Sequence, residues 1–221
     1  FGIGCKTSIN MPLKLVFSWC LSMGPTNPRN GLIGLTASVL AVNTIAFASP
    51  NLRSSFPGRR VGGGTRGECT ARIVAHLVPD SNVFGMSTSG ELALVQGPTA
   101  NPVELTTRFK PQGGGAAVTR TIPASSAGFI LIRGRSITAP TVWETSFDCA
   151  SGGATQTDPL AFVATVSPPA VSLLLPQQET ADAATQVALT SLSQRCGSTV
   201  PTASTLARFG LADLVTPQWP E

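Results

Sequence analysis

Val103-Glu104-Leu105-Thr106-Thr107-Arg108-Phe109-Lys110 alternates strictly between two kinds of side chain. Val103, Leu105, Thr107 and Phe109 fall on one side, and Glu104, Thr106, Arg108 and Lys110 on the other. A period of two marks a β-strand with one face on a core and one in water. Gly97-Pro98 before it and Gly113-Gly114-Gly115 after it are turn punctuation.

The same pattern extends in both directions. Upstream, Ala71 to Val78 is an apolar run stopped by Pro79-Asp80-Ser81-Asn82, and Glu91 to Gln96 lies between Ser89-Gly90 and Gly97-Pro98. Downstream, Ala117 to Ile122 carries Arg120 on the face of Val118 and Ile122. That fits an edge strand, where an inward charge discourages pairing with another chain. Phe129 to Arg133 is apolar on both faces and suits a central strand. Thr141 to Cys149 sets Trp143, Thr145, Phe147 and Cys149 against Glu144, Ser146 and Asp148, and Leu160 to Val166 turns Leu160, Phe162, Ala164 and Val166 inward. About seven short strands with regular turn signals predict a mainly β fold, an antiparallel immunoglobulin-like β-sandwich over residues 69–176. A jelly roll or small barrel is the alternative.

The rhythm changes after Pro168-Pro169. Val171 to Leu175 reads as a last strand, ended by Pro176. Glu179 to Arg195 lacks Gly and Pro, and Ala181, Ala184, Val187, Ala188, Leu192 and Cys196 recur at helical spacing, with Gly197 placed as a C-terminal cap. Thr202 to Val215 reads as a second helix with Leu206, Phe209 and Leu214 on one side, weakened by Gly210. Residues 177–221 are therefore expected to be a short C-terminal helical tail.

Before the strands lies Gly58-Arg59-Arg60-Val61-Gly62-Gly63-Gly64-Thr65-Arg66-Gly67-Glu68-Cys69. Glycines this dense oppose helix formation and let other groups approach the main chain. Successive amides in a turn can converge on an anion, and arginines add positive field. Arg59, Arg60, Gly62, Gly63, Gly64, Thr65 and Arg66 are thus the candidate anion-binding residues. The Gly-Lys-Ser/Thr ending of a phosphate loop is missing. The plainer reading is a flexible Arg/Gly-rich arm over 49–68, solvated or docked, leading into the first strand.

This motif, followed by Leu77-Val78-Pro79, resembles the opening of the cyanobacterial domain-of-unknown-function family 928. Trp143-Glu144-Thr145-Ser146-Phe147-Asp148-Cys149 is similar to that family's aromatic strand ending in cysteine. The resemblance implies an exported protein with a β-rich body and implies no activity. The chain departs from the family after Pro79, where Phe84 and Met86 stand in place of a Pro-Thr-Phe-Trp-Phe-Tyr run, and it has no tyrosine. Cys69 and Cys149 both carry the resemblance and flank the expected sandwich, which makes them the first choice for a disulfide, with Cys196 as the odd thiol. Such a bridge closes a loop of about 80 residues and contributes about 4 kcal/mol by loop entropy. Spacing alone leaves the other pairings open.

The leader carries the localisation. From Met23, Arg29 is a positive start, Gly31 to Val42 an apolar core, and Ala46-Phe47-Ala48 a small-x-small site before Ser49. Residues 1–48 are read as signal peptide and upstream residues, giving a secreted or periplasmic protein with no stable transmembrane segment after cleavage. Retention of residues 31–47 as an anchor is the alternative. Removing Lys6, Lys14 and Arg29, with no acid among residues 1–48, lowers the formal net charge from +4 to +1. The whole-chain pI of 9.1 is then a poor guide to partners.

Reactive chemistry is sparse. His76 is the single histidine, and no CxxC, HExxH or Gly-x-Ser-x-Gly spacing exists. Glu144 and Asp148 share a strand face about 13 Å apart, too wide for glycosidase acid–base work. The expectation is a non-enzymatic envelope module without cofactor or metal, binding an envelope protein or scaffolding, with no nucleic-acid partner. The alternatives are a polyanion or polysaccharide binder working through Arg59–Arg66, and a hydrolase using Asp148, Glu144 or Cys149.

Overall fold

The computed structural model describes residues 3–6, 52–64, 72–88, 90–100, 102–134, 136–147 and 167–219. The expected leader beyond residue 6, the expected strand at 160–166, and Thr65, Arg66, Cys69, Asp148 and Cys149 lie outside the described residues. Among the described residues, ten strands form two five-stranded sheets. They are β1 (Ile3–Lys6), β2 (Val61–Gly64), β3 (Arg72–His76), β4 (Val83–Gly85), β5 (Glu91–Gln96), β6 (Leu105–Pro111), β7 (Val118–Ile122), β8 (Gly128–Arg133), β9 (Thr141–Phe147) and β10 (Ala170–Leu175). The first sheet runs β1-β8-β5-β3-β2 and the second β4-β10-β9-β6-β7. All pairs are antiparallel except β1 with β8 and β4 with β10.

The sheets pack face to face around one apolar core. Leu92, Leu94 and Phe129 of the first sheet, with Leu105, Trp143 and Leu174 of the second, are essentially inaccessible to solvent. Along β6 the burial alternates as the sequence predicts: Val103, Leu105 and Thr107 are buried, Phe109 is half-buried, and Glu104, Thr106, Arg108 and Lys110 are exposed. Strand β7 is the edge of its sheet, as expected from Arg120. Arg120 pairs across from the inward Thr107 and donates to the Arg133 carbonyl of β8 at 3.1 Å, so the charge spans the mouth of the sandwich.

The chain continues from β10 into a 3₁₀ turn at Thr180–Asp182, helix α2 (Ala183–Ser193), helix α3 (Thr202–Ala207) and a 3₁₀ turn at Ala212–Leu214. The buried face of α2 is Thr185, Ala188, Leu189 and Leu192. Of the expected face only Ala188 and Leu192 are buried; Val187 is 69% exposed, and Ala181, Ala184 and Cys196 are exposed as well. The expected helix over 202–215 stops at Ala207. Gly210 takes φ 65°, and a Cβ there would sit 2.9 Å from Asp80 Oδ1, so a glycine turn replaces helix where the tail meets the loop after β3.

Of the two readings of the arm, solvated or docked, residues 52–64 take the docked one. They form helix α1 (Leu52–Ser55), a bridge and a strand. Arg59 exchanges both backbone hydrogen bonds with Val171 of β10, at 2.8 and 2.7 Å, and the Arg60 carbonyl accepts from His76 of β3 at 2.8 Å. Val61–Gly64 then pairs with β3. One continuous segment thus stitches the second sheet to the first. Gly62 is needed there, since a Cβ would lie 2.3 Å from the Ala170 amide nitrogen. Glycine density, read from sequence as freedom, is here the condition for close backbone approach.

Candidate functional site

Two polar constellations stand out, and each begins with residues singled out in the sequence. The first is built on the arginines of the Gly/Arg stretch. Arg60, placed at the turn between the Val171 bridge and β2, sends its guanidinium into a ring of carbonyls. Its Nη1 donates to Val78 O at 2.8 Å and Phe209 O at 2.6 Å, and its Nη2 to Gly210 O at 3.0 Å and to Asp80 Oδ1. The backbone amide of Arg60 donates to Asn82 Oδ1 at 2.8 Å, and Asn82 Nδ2 donates back to Gly58 O at 2.9 Å. This guanidinium fastens the stretch to the turn after β3 and to the C-terminal tail.

Arg53, on α1, does the same at the other end of the segment. Its Nη1 and Nη2 donate to the two oxygens of Asp182 at 3.0 and 2.5 Å, and its Nε lies 2.7 Å from Glu179 Oε2. Asp182 has no solvent exposure, and its hydrogen bonds raise the Arg53 pKa further above the ordinary arginine value. Asp182 Oδ2 also accepts from the Glu179 amide at 2.9 Å, closing the turn that starts α2. A bidentate pair of this kind fixes geometry as well as charge.

The remaining anion-site candidates part company. Arg59 is exposed, with its Nε on Val61 O at 2.9 Å. Gly62, Gly63 and Gly64 lie in the edge strand β2, and the Gly63 amide donates to Pro168 O at 3.0 Å. These glycines make a sheet edge. Among the described residues, no group of three His, Cys, Asp or Glu side chains is placed to hold a metal, and no helix is long and apolar enough to cross a membrane.

The second constellation lies between the sheets and was missed as a unit by sequence reading. His76, at the end of β3, is fully buried. Its Nδ1 is 2.9 Å from Ser172 Oγ on β10, and its Nε2 is 2.8 Å from Thr145 Oγ1 on β9. Thr145 Oγ1 is 3.1 Å from Thr107 Oγ1 on β6, which also accepts from Trp143 Nε1 at 2.7 Å. The Trp143 indole lies flat on the imidazole. A neutral imidazole donates at one nitrogen and accepts at the other, so a hydroxyl on each side satisfies both. Burial pushes the His76 pKa down to about 3, because the charged ring would lose its hydration. The legible signal was phase: Thr107 and Thr145 sit at inward positions of alternating strands, where an unpartnered hydroxyl is costly.

Glu144, a candidate of the hydrolase alternative, sits on the other face of β9 across from Arg108. It shares no space with His76. Cys196 is disulfide-bonded, which corrects the expectation that it is the odd thiol. No family model, curated protein or solved structure matches the chain, so the likeness to family 928 rests on its motifs alone.

Proposed function

We propose that this chain is an exported, non-enzymatic module of the cell envelope, an immunoglobulin-like β-sandwich that binds or scaffolds a partner. The observation that carries it is the use made of the chain's polar groups. The single imidazole is sealed between the sheets on two hydroxyls, and the guanidinia of Arg53 and Arg60 are taken up in holding the body together. Groups that would serve acid–base or anion chemistry serve architecture instead. The leader pattern up to Ala48 and the motif likeness over Gly58–Pro79 support export.

The test is expression of the full 221-residue chain in a secreting host, followed by fractionation and intact mass. A periplasmic or secreted product beginning at Ser49 is expected. A mass that includes residues 1–48 overturns the export reading. For the module reading, His76→Gln should leave envelope association of the folded protein unchanged, since the ring faces no solvent. Loss of association in folded His76→Gln protein would point to a reactive site and overturn it.

A further inference from the structure

One strand of the second sheet has an inner face that the first sheet leaves open. Strand β7 pairs with β6 so that Val118 stands opposite Phe109 and Arg120 opposite Thr107. Phe109 stacks on Trp143, and Thr107 accepts from the same indole. Both therefore face the space between the sheets, and Val118 and Arg120 face it with them. Val118 is nonetheless 52% exposed, and Arg120 is exposed. Among the described side chains, Arg120 is the one charge on the facing sides of the two sheets. No described carboxylate lies within ion-pair distance of it. Its Nη1 is spent on the Arg133 carbonyl at 3.1 Å, while Nε and Nη2 have no partner among the described residues. Those two nitrogens form one edge of the guanidinium, and their parallel N–H bonds match the two oxygens of a carboxylate. Keeping a second chain off the edge needs only a charge. It explains neither the open apolar pair beside the arginine nor the fork left free.

We propose that the mouth between β7 and the end of β8 binds a long-chain carboxylate, its head on the free edge of Arg120 and its chain along Val118 and Phe109. Ile132 of β8, buried and inward, borders the mouth from the first sheet. Chemistry chooses the ligand. One cation beside apolar side chains, with no acid on the same face, calls for an anionic head on an apolar body. A single free fork takes a single head. A bilayer surface would need these groups on an outward face of the protein. Arg120 and Val118 stand on an inner one, which admits one molecule from the side. The site goes beyond the module reading and does not depend on export. A retained leader leaves it standing, and its own failure leaves the export test untouched.

Dodecanoate, kept below the concentration at which it forms micelles, is titrated into the folded chain and followed by the Arg120 Nε–H and the Val118–Ile122 amide resonances. Both sets should shift together and saturate. Dodecanol and acetate each carry one part of the ligand, and each should bind about tenfold more weakly or worse. Arg120→Gln should weaken dodecanoate binding about tenfold or more, and Arg120→Lys, which keeps the charge without the fork, nearly as much. Neither change should move the melting temperature, because the side chain is exposed. Val118→Thr should weaken dodecanoate and leave acetate unchanged. Absence of a saturating shift with dodecanoate would overturn the site. Equal binding of dodecanol, or Arg120→Gln protein that binds dodecanoate as the native chain does, would overturn the head-group contact and with it the proposal. Equal binding of acetate would reduce the site to a plain anion contact and overturn the apolar half. Binding to phosphatidylglycerol vesicles without binding to monomeric dodecanoate would overturn it in favour of a membrane surface. Dimers of Arg120→Gln in sedimentation, with unchanged dodecanoate affinity, would show the arginine to be an edge guard only.

Discussion

The imidazole of His76 lies on the indole of Trp143 with ring centroids 3.6 Å apart and planes 8° from parallel. This contact joins the two sheets at their centre, and a hydroxyl from β9 and one from β10 complete it. It is a polar plug in an otherwise apolar core, stable only while the ring is neutral.

Acid sensitivity follows. The folded-state pKa of about 3 lies below the ordinary value of 6.5, so the unfolded chain binds the extra proton first as pH falls. This contribution to stability is fully present above about pH 6.5 and is lost progressively down to about pH 3. The slope from this ring alone approaches about 1.4 kcal/mol per pH unit. Urea midpoints at pH 7, 5.5 and 4 should fall more steeply for the native chain than for His76→Gln. Parallel slopes would refute the assignment.

The Trp143 indole N–H has Thr107 Oγ1 as its partner at 2.7 Å. Thr107→Val removes that acceptor and the hydroxyl that meets Thr145. The expected loss is about 1–3 kcal/mol, read as a lower urea midpoint with an unchanged slope. A neutral outcome would mean that the buried hydroxyl chain contributes nothing.

Arg59 and Arg60 are neighbours in sequence with opposite roles. Arg60→Gln should cost about 1–3 kcal/mol, because three backbone carbonyls lose a charged donor. Arg59→Gln should stay within about 0.5 kcal/mol, as exposed surface changes usually do. Equal effects in thermal melts would contradict the structure. If a polyanion binds this stretch, Arg59→Gln should instead reduce the salt dependence of envelope association.

The pair Arg53–Asp182 is the deepest charge pair among the described residues. Arg53→Met leaves a carboxylate without its counter-charge at a site of no exposure, and about 3–5 kcal/mol should be lost. The double change Arg53→Met with Asp182→Asn should recover much of it. A double variant no more stable than the single one would show that the pairing is not what matters there.

Cys196 is expected in a bridged peptide when the chain is digested without reductant. Full alkylation of Cys196 by iodoacetamide in the folded, unreduced protein would contradict this.

How much of this was legible depended on whether side chains carried the information. Strand β5 coincides with Glu91–Gln96 as read, and β6, β8 and β9 fall within two residues of their expected ends, because alternation or apolar runs marked them. Strand β2 was invisible, since Val-Gly-Gly-Gly has almost no side chains to pattern, and β4 is only three residues long. Residues 52–64 were read as an arm because Arg and Gly look solvated in one dimension. Their partners, Val171, Asp182, Phe209 and Gly210, lie over a hundred positions away, beyond the reach of any local rule. The His76 cluster draws on four strands, so only its inward phases could be seen.

The carbonyls that seat Arg60 bear on how the chain is made. Phe209 and Gly210 lie 149 and 150 positions after the arginine they hold. Synthesis delivers them long after Arg60, so a nascent chain cannot close this clasp until well over a hundred further residues have been added. Contacts of such sequence separation form late and slowly. Until then the segment around Arg60 is held only by partners nearer in sequence, Val78, Asp80 and Asn82.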